Sequence, residues 1–299
     1  MTTIKVLLAT YNGEKYIIQQ MQSIINQKDV IVDICVSDDG STDKTLAMIN
    51  ETFPQIKTQK NIPGTGSAAT NFLKMLVETD FNENFEYIAF SDQDDLWLPQ
   101  KLSVAVQKLN EEKADLYCSN LTKWDENTGS FTLLKKDFPQ KKFDYLFEGG
   151  SAGCTYVFTK SFAKSLKSFV LQLNTSNWKG FSHDWLVYFF ARSRNYMVFI
   201  DENSYIHYRL HGNNVHGHLN KLSLRTIWFK ISKVMEGYHE DHIKNYINYI
   251  DKNTEAYQIY TDFLGNYFSR NKMIWKYNIR LMRDNKKWFV FAVLNLIKL

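Results

Sequence analysis

The chain has 299 residues, of which 44% are hydrophobic and 23% are charged, and its formal net charge is +4. This composition is typical of a chain that buries a sizeable core, which excludes extensive disorder, and the mild positive charge does not by itself indicate a nucleic-acid partner. Three widely spaced cysteines in apolar stretches favour buried thiols over a disulfide framework or a zinc site. The apolar run near the N-terminus is too short for a signal peptide, so we expect a cytoplasmic protein.

Strand and helix signals alternate through the first part of the chain. Strands are predicted at 4–10, 32–37, 55–59, 85–90 and 115–121, and helices at 14–27, 42–51, 67–79 and 98–111. This alternation predicts an α/β fold with a parallel sheet covered by helices on both faces. Ligands of such sheets bind at the carboxyl ends of the strands.

Polar residues follow three of these predicted strands. The stretches are TYNG at 10–13, SDDGS at 37–41 and SDQDD at 91–95. Each one taken singly is an ordinary turn sequence. The last stretch places three carboxylates within four positions, which is unfavourable unless a cation or hydrogen-bond donors offset the repulsion. Together the three stretches predict one polar crevice at the edge of the sheet.

Five motifs in the chain resemble those of the inverting glycosyltransferases of family 2. They are VLLATYNGEKYI at 6–17, VSDDGSTDKT at 36–45, SDQDDLWLPQKL at 91–102, SHDWLVY at 182–188 and YRLHGNNVHG at 208–217. The resemblance implies a GT-A fold, the Rossmann-like fold of nucleotide-diphospho-sugar transferases. It places this domain at 1–218 and a helical C-terminal extension at 219–299.

The resemblance also implies a nucleotide site. Its predicted residues are Thr10, Tyr11, Asn12, Asp38, Asp39 and Asp92. A carboxylate at Asp39 accepts a hydrogen bond from the imide N–H of uracil or thymine, which adenine lacks, so a dTDP- or UDP-sugar is the expected donor. The Gly-rich stretch at 61–72 leads into a predicted helix and is either a phosphate or sugar contact or a plain loop.

The D-x-D spacing of Asp92 and Asp94 implies a metal site for Mn²⁺ or Mg²⁺ that bridges the donor diphosphate. The alternative is that these carboxylates cap a turn. Asp95 is interpreted as a turn residue or a supporting residue. In the family, the catalytic base of the inverting mechanism is a carboxylate in an E/H-D-W type signature. The resemblance therefore implies that Asp184 is the catalytic base; the alternative is that Asp184 caps a helix. His183 is interpreted as an orienting neighbour or a buried histidine.

The stretch at 206–218 contains four histidines, but their spacing matches no closed zinc site. The resemblance implies a loop that folds over the donor diphosphate, with phosphate or sugar contacts from Arg209, His211 and Asn213. Leu210 departs from the polar residue that is common at this position of the family.

Aromatic and basic residues alternate from about residue 219 to the C-terminus. This pattern predicts helices that either lie in a membrane interface or pack on the domain or on a second subunit. The pairing of HDW with YRLHGNN most resembles the bacterial rhamnosyltransferases of cell-wall or capsule polysaccharide assembly. This resemblance implies a metal-dependent inverting glycosyltransferase that moves L-rhamnose from dTDP-rhamnose to a lipid-linked glycan at the inner face of the membrane. The alternatives are another sugar from a UDP donor, or a non-catalytic partner subunit that retains the fold.

Overall fold

A computed structural model describes residues 1–175, 178–211, 231–232 and 234–298 of the chain. Its strands are β1 (Thr2–Thr10), β2 (Val30–Asp38), β3 (Lys57–Lys60), β4 (Tyr87–Ser91), β5 (Leu96–Trp97), β6 (Leu116–Asp125), β7 (Ser130–Leu134), β8 (Val157–Thr159) and β9 (Val198–Leu210). Its helices are α1 (Ile17–Ile25), α2 (Thr45–Thr52), α3 (Ala68–Glu78), α4 (Lys101–Glu111), α5 (Lys160–Val170), α6 (His183–Ser193), α7 (Tyr238–Tyr246), α8 (Glu255–Leu264), α9 (Tyr267–Tyr277) and α10 (Asn285–Ile297). The predicted α/β fold with C-terminal helices is confirmed.

All nine of these strands belong to one sheet. The order is β3-β2-β1-β4-β8-β6-β9-β5, and β7 pairs with β6. Strands β1 to β4 are parallel as predicted, whereas β8 runs antiparallel to β4 and β6, and β5 is antiparallel to β9. The sheet, which was expected to be parallel, is therefore mixed, because the short strands β5, β7 and β8 run antiparallel to their neighbours.

Apolar residues in the central strand anchor the sheet to its helices. Ile4, Val6 and Leu8 of β1 are fully buried, and Ile17 and Ile24 of α1 lie in the same core cluster. Burial of such aliphatic side chains stabilises a fold by about 1.5–3 kcal/mol each. The helical spacing of Ile17 and Ile24 places both side chains on the side of α1 that packs against one face of the sheet.

The described chain separates into two compact units. The first unit comprises 1–137, 150–173 and 190–211, and the second comprises 138–149, 174–189 and 212–299. The first unit holds the sheet, and the second holds α7 to α10 together with two inserted segments. The predicted boundary between residues 218 and 219 lies outside the described residues and stays a prediction. None of the described helices is long and apolar enough to cross a membrane.

Candidate active site

Strand register brings the three polar stretches of the sequence to one edge of the sheet. Strand β1 lies between β2 and β4, with Thr10 opposite Asp38 and Leu8 opposite Ser91. The residues that follow these positions leave the sheet side by side, because neighbouring parallel strands end at the same edge. The predicted convergence of these loops is therefore present within the first unit.

Gln93, the middle residue of D-x-D, ties the first and third loops together. Its Oε1 accepts hydrogen bonds from Thr10 Oγ1 at 2.5 Å and from the Tyr11 backbone N–H at 2.8 Å, and its Nε2 donates to the Tyr11 carbonyl at 3.0 Å. The Tyr11 ring is left 56% exposed. This arrangement presents an aromatic face at the loop, which suits stacking against a planar base. Sequence analysis did not assign a role to Gln93.

The side chains of Asn12 and Asp38 hold the second loop in place by accepting hydrogen bonds from its backbone. Asn12 has a left-handed φ of 48°, and its Oδ1 accepts from the Thr42 backbone N–H at 2.9 Å. Asp38 is fully buried, and its Oδ1 accepts from the backbone N–H groups of Gly40 and Ser41 at 3.1 and 2.9 Å. Such local side-chain to backbone bonds fix a turn. These two predicted nucleotide residues therefore shape the loop.

Asp39 faces the Gly-rich loop after β3. Its Oδ1 accepts from the Thr65 N–H at 2.6 Å and from Asn61 Nδ2 at 3.2 Å, and its Oδ2 accepts from the Gly66 N–H at 3.1 Å. A carboxylate offers about four acceptor sites, so capacity for one more donor remains. A Cβ on Gly64 would lie 2.4 Å from the Asp39 carbonyl oxygen, so only glycine permits this approach.

An acidic group lies at the end of β4. The ligand atoms of Asp92, Asp95 and Cys154 are all within 4.8 Å of one another. Asp95 is 1% exposed, and neither carboxylate oxygen receives an N–H or O–H hydrogen bond from the described residues. Burial raises the pKa of Asp95 well above its usual range, and the charges of Asp94 and Asp92 raise it further. The Cys154 thiol and the Arg209 backbone N–H offset this shift only in part. A buried carboxyl beside two other carboxylates is suited to a cation.

The donor set of this group fits Mg²⁺ or Mn²⁺ through its oxygens. Hard divalent cations prefer carboxylate oxygens, whereas a thiol is a soft ligand. Burial raises the pKa of the Cys154 thiol well above its ordinary value, and the charges of Asp95 and Asp92 add to this effect. The thiol therefore stays protonated near neutral pH. Asp92 and Asp95 are the oxygen donors that the group supplies.

Asp94 points toward His211, the residue that follows β9. Its Oδ2 lies 2.7 Å from His211 Nε2, and the His211 ring lies 4.9 Å from the ring of Tyr16. The structure thus brings the predicted metal residue Asp94 and the predicted phosphate residue His211 into direct contact. Their roles in metal and phosphate binding stay predictions, and Asn213 lies outside the described residues.

Arg209 is buried next to Asp94, near the end of β9. It is 1% exposed, and its guanidinium carbon lies 4.6 Å from the ring centroid of Tyr16 and 4.4 Å from that of Trp124. Its Nε donates to the Asp94 carbonyl at 2.9 Å, and its Nη1 forms an ion pair with Glu126. In this arrangement Arg209 holds the backbone of D-x-D against β9. The predicted contact of Arg209 with phosphate stays a prediction.

Lys101, in the first turn of α4, lies behind the acidic group. It is 2% exposed, its Nζ has no hydrogen-bond partner among the described residues, and the Nζ lies 3.6 Å from the Trp97 ring centroid. Burial lowers the pKa of Lys101 to about 7, although the charges of Cys154 and Asp95 act in the opposite direction. The side chain is therefore an interior amine whose charge depends on pH near neutrality.

Asp184 lies in the second unit, in the first turn of α6, where sequence analysis predicted a helix start. The half-buried Asp184 carboxylate accepts a hydrogen bond from Ser182 Oγ, which also accepts from the Trp185 N–H at 3.3 Å. The Trp185 indole is buried and donates to the Tyr145 carbonyl at 2.9 Å. The hydrogen bonds of Ser182 and the anchored indole together fix the carboxylate at the start of the helix.

Two neighbours of Asp184 have shifted pKa values. Burial raises the pKa of Tyr238 to about 12, and the Asp184 charge adds to this shift. Burial lowers the pKa of His183, and the Asp184 charge only partly offsets it. Both groups are therefore neutral around pH 7.

The polar edge and the fixed carboxylate can be compared with known proteins. The sequence pattern of the family described as Glycosyl transferase family 2 matches residues 5–167, more than half of the chain. The protein belongs to glycosyltransferase family 2. It is a glycosyltransferase of the GT-A fold, and the strand-end loops lie within the matched range.

Relatives of this family-2 enzyme include proteins of bacterial polysaccharide synthesis. The chain is 35% identical to dTDP-rhamnosyl transferase RfbG of Shigella flexneri, over 87% of this chain and 90% of that protein. It is 29% identical to UDP-Glc:alpha-D-GlcNAc-diphosphoundecaprenol beta-1,3-glucosyltransferase WfaP of Escherichia coli, over 40% of this chain and 46% of that protein. A crystal structure of S. aureus TarS 1-349 in complex with UDP-GlcNAc superposes with a TM-score of 0.55, at 15% identity, and covers 99% of this chain and 89% of that one.

Proposed function

We propose that this enzyme transfers L-rhamnose from dTDP-rhamnose to a hydroxyl group of a growing bacterial surface polysaccharide, with inversion at the anomeric carbon. The observation that carries the proposal is the 35% identity to a dTDP-rhamnosyl transferase over 87% of the chain. That alignment spans 264 residues and so extends beyond residues 5–167, which match the family pattern. Similarity of fold alone would not identify the donor sugar, because enzymes of one fold use many different donors.

The nucleotide is proposed to bind at the edge formed by the TYNG and SDDGS loops. The exposed Tyr11 ring offers a stacking surface, and Asp39 keeps an acceptor site for the imide N–H of thymine. Asp92, Thr10, Asn12 and Asp38 are proposed to support this pocket. A ring nitrogen without a hydrogen, as in adenine, leaves the Asp39 carboxylate without that bond.

The metal is proposed to be Mn²⁺ or Mg²⁺, held by Asp92 together with Asp94 or Asp95. A divalent cation at this position supplies charge that stabilises the departing nucleoside diphosphate. The two buried Asp95 oxygens without N–H or O–H donors support its inclusion among the ligands. His211, in contact with Asp94, is proposed with Arg209 and Asn213 to meet the diphosphate or the sugar.

Asp184 is proposed as the catalytic base. It accepts the proton from the acceptor hydroxyl while that oxygen attacks the anomeric carbon and the sugar–phosphate bond breaks. The bond from Ser182 Oγ and the anchored Trp185 support this role, because a base must be held in one orientation.

The acceptor is proposed to be a lipid-linked glycan at the inner face of the cell membrane. The name of WfaP describes an acceptor on diphosphoundecaprenol, and that protein is 29% identical over 40% of this chain. A UDP-sugar donor is the second candidate, and the complex of TarS with UDP-GlcNAc favours it.

Donor turnover tests the proposal. The purified chain is incubated with Mn²⁺ and equal concentrations of dTDP-rhamnose, UDP-glucose, UDP-galactose or UDP-GlcNAc, and release of the nucleoside diphosphate is measured with and without a membrane extract that contains acceptor. The expected result is that dTDP release is fastest and that extract stimulates it. Faster UDP release would select the second candidate, and no release from any donor would favour a non-catalytic partner subunit.

A further inference from the structure

The last two helices of the chain lie side by side in opposite directions. The Tyr267 hydroxyl, at the start of α9, donates to the Leu296 carbonyl near the end of α10 at 3.0 Å. The Trp275 ring, near the end of α9, lies 5.5 Å from the Trp288 ring near the start of α10. These contacts define an antiparallel helix pair within the second unit.

One surface of this pair is apolar and exposed to solvent. The exposed fractions are 79% for Phe268, 61% for Phe289, 54% for Val290 and 63% for Ile297. We call the surface formed by Phe268, Trp275, Phe289, Val290, Val293 and Ile297 the α9–α10 face. A soluble monomer seldom exposes so many large apolar groups next to one another, and such patches mark interaction sites.

Helix geometry places these residues on the same side of the pair. Successive residues of a helix turn by about 100°, so Val290, Val293 and Ile297 share one stripe of α10, and Phe268 and Trp275 share one stripe of α9. The exposed Trp275 ring of α9 also contacts Trp288 of α10, and Phe289, the residue after Trp288, is exposed as well. The exposed surfaces of the two helices therefore meet along their shared contact.

Positive charge is concentrated in the same segment. Residues 265–299 contain eight Lys and Arg residues and one acidic residue, Asp284, whereas the whole chain carries only +4, so the remainder carries −3. Lys272 lies one turn after Phe268, Lys276 adjoins Trp275, and Lys286 lies one turn before Val290; all three are exposed. Two cations of the segment are buried instead: Arg270 pairs with Glu240, and Arg283 pairs with Glu148.

We propose that the α9–α10 face docks on the surface of an anionic lipid bilayer. Apolar side chains flanked by lysines bind such a surface by burying the apolar stripe at the headgroup boundary, while the cations meet lipid phosphates. At 13 residues, α10 is about 20 Å long, too short to span the hydrocarbon layer, so it lies in the plane of the interface.

Charge distinguishes a lipid surface from a second copy of the chain as the occupant. A two-fold dimer through this face would bring the same patch of each copy together. The lysines at 272, 276 and 286 would then face the lysines of the partner, and like charges across an interface are unfavourable. An anionic bilayer neutralises these charges. Lipid docking needs neither donor nor acceptor, so this inference goes beyond the proposed transfer reaction.

Vesicle sedimentation tests the docking. The full chain is mixed with vesicles of equal parts phosphatidylglycerol and phosphatidylcholine, or of phosphatidylcholine alone, at low and high salt. Wild type is compared with Lys272→Glu/Lys286→Glu and with Phe289→Ser/Val293→Ser. The matched controls, Lys164→Glu and Phe131→Ser, change an exposed lysine and an exposed phenylalanine of the first unit. Circular dichroism and thermal unfolding verify that each variant is folded.

The expected result is salt-sensitive binding to the anionic vesicles, reduced about twentyfold by the double charge reversal and weakened by the serine pair, with the controls within about twofold of wild type. Equal loss in the controls, or no binding of wild type to anionic vesicles, would overturn the docking. Light scattering tests whether the α9–α10 face joins two copies of the chain instead. Conversion of an oligomer to a monomer by Phe289→Ser/Val293→Ser would also overturn the docking. Vesicle binding without donor turnover would refute the proposed reaction and leave the docking intact.

Discussion

Replacing Lys101 with methionine removes an ammonium group from the interior and keeps the hydrocarbon that fills its place. Burial lowers the pKa of Lys101 from 10.5 to about 7 in the folded protein. The unfolded chain therefore binds this proton more tightly than the folded chain between these two pH values. Since stability rises with pH wherever the unfolded state binds more protons, Lys101 makes the wild type more stable as pH increases from about 7 toward 10.5.

The size of this effect follows from the shift. One pKa unit corresponds to about 1.4 kcal/mol, so raising the pH from 6.5 to 9.5 adds about 3 kcal/mol to the free energy of unfolding through Lys101. The methionine variant lacks this term. It is expected to be more stable than wild type at pH 6.5, although loss of the contact of Nζ with the Trp97 ring offsets about 2 kcal/mol of the gain.

Urea unfolding of Lys101→Met and wild type at the two pH values, in EDTA, measures the effect. Lys164→Met, at an exposed position of α5, is the matched control and should give a difference from wild type that does not depend on pH. The stability difference between Lys101→Met and wild type should fall by about 3 kcal/mol from pH 6.5 to 9.5. A difference that stays constant would refute the reasoning, since it would mean that Lys101 retains an ordinary pKa.

Three further predictions concern the loops and the base. Gln93→Ala removes three hydrogen bonds between the first and third loops and should weaken dTDP binding about tenfold in calorimetry. The control Gln107→Ala, at an exposed position of α4, should leave the affinity unchanged, and equal affinities of the two variants would contradict the role of Gln93. Asp184→Asn should lower kcat about 10²–10⁴-fold with the Kd of the donor unchanged, and a loss below about threefold would exclude its role as base. Gly149→Ala places a Cβ 3.2 Å from the Trp185 Cα and should cost about 1–3 kcal/mol in urea unfolding; unaltered stability would argue against this close packing.

Local sequence patterns are sufficient to predict the first half of the sheet. Alternating apolar strands and helical spacing predict β1 to β4 with their helices, and the rule that ligands bind at strand ends identifies the loops that converge. The antiparallel β8 is different, because a three-residue strand at Val157–Thr159 carries too little pattern to reveal its direction. Its placement depends on pairing with strands that are distant in the sequence.

Long-range contacts explain what sequence analysis missed at the site. Gln93 is a neutral residue between two aspartates and looks like a spacer, and Cys154 reaches Asp95 from a distant segment without a local signal. The burial of Lys101 could have been predicted from the sequence. Lys101 lies on the same side of α4 as the buried Ala105 and Leu109, because the three residues follow one another at intervals of four. Arg209 carried no such signal, because a charged residue in a β-strand is ordinarily expected to face solvent.

Calorimetric titration of dTDP in the presence of Mn²⁺ tests the central claim most directly. The titration is carried out on wild type and on Asp92→Asn. UDP, GDP and ADP are titrated in the same way for comparison. The account predicts that dTDP binds more tightly than ADP, that Mn²⁺ strengthens its binding, and that Asp92→Asn removes the contribution of the metal. Binding of dTDP that is unaffected by both Mn²⁺ and Asp92→Asn, or no binding of any nucleotide, would contradict a metal-assisted nucleotide-sugar site at this edge of the sheet.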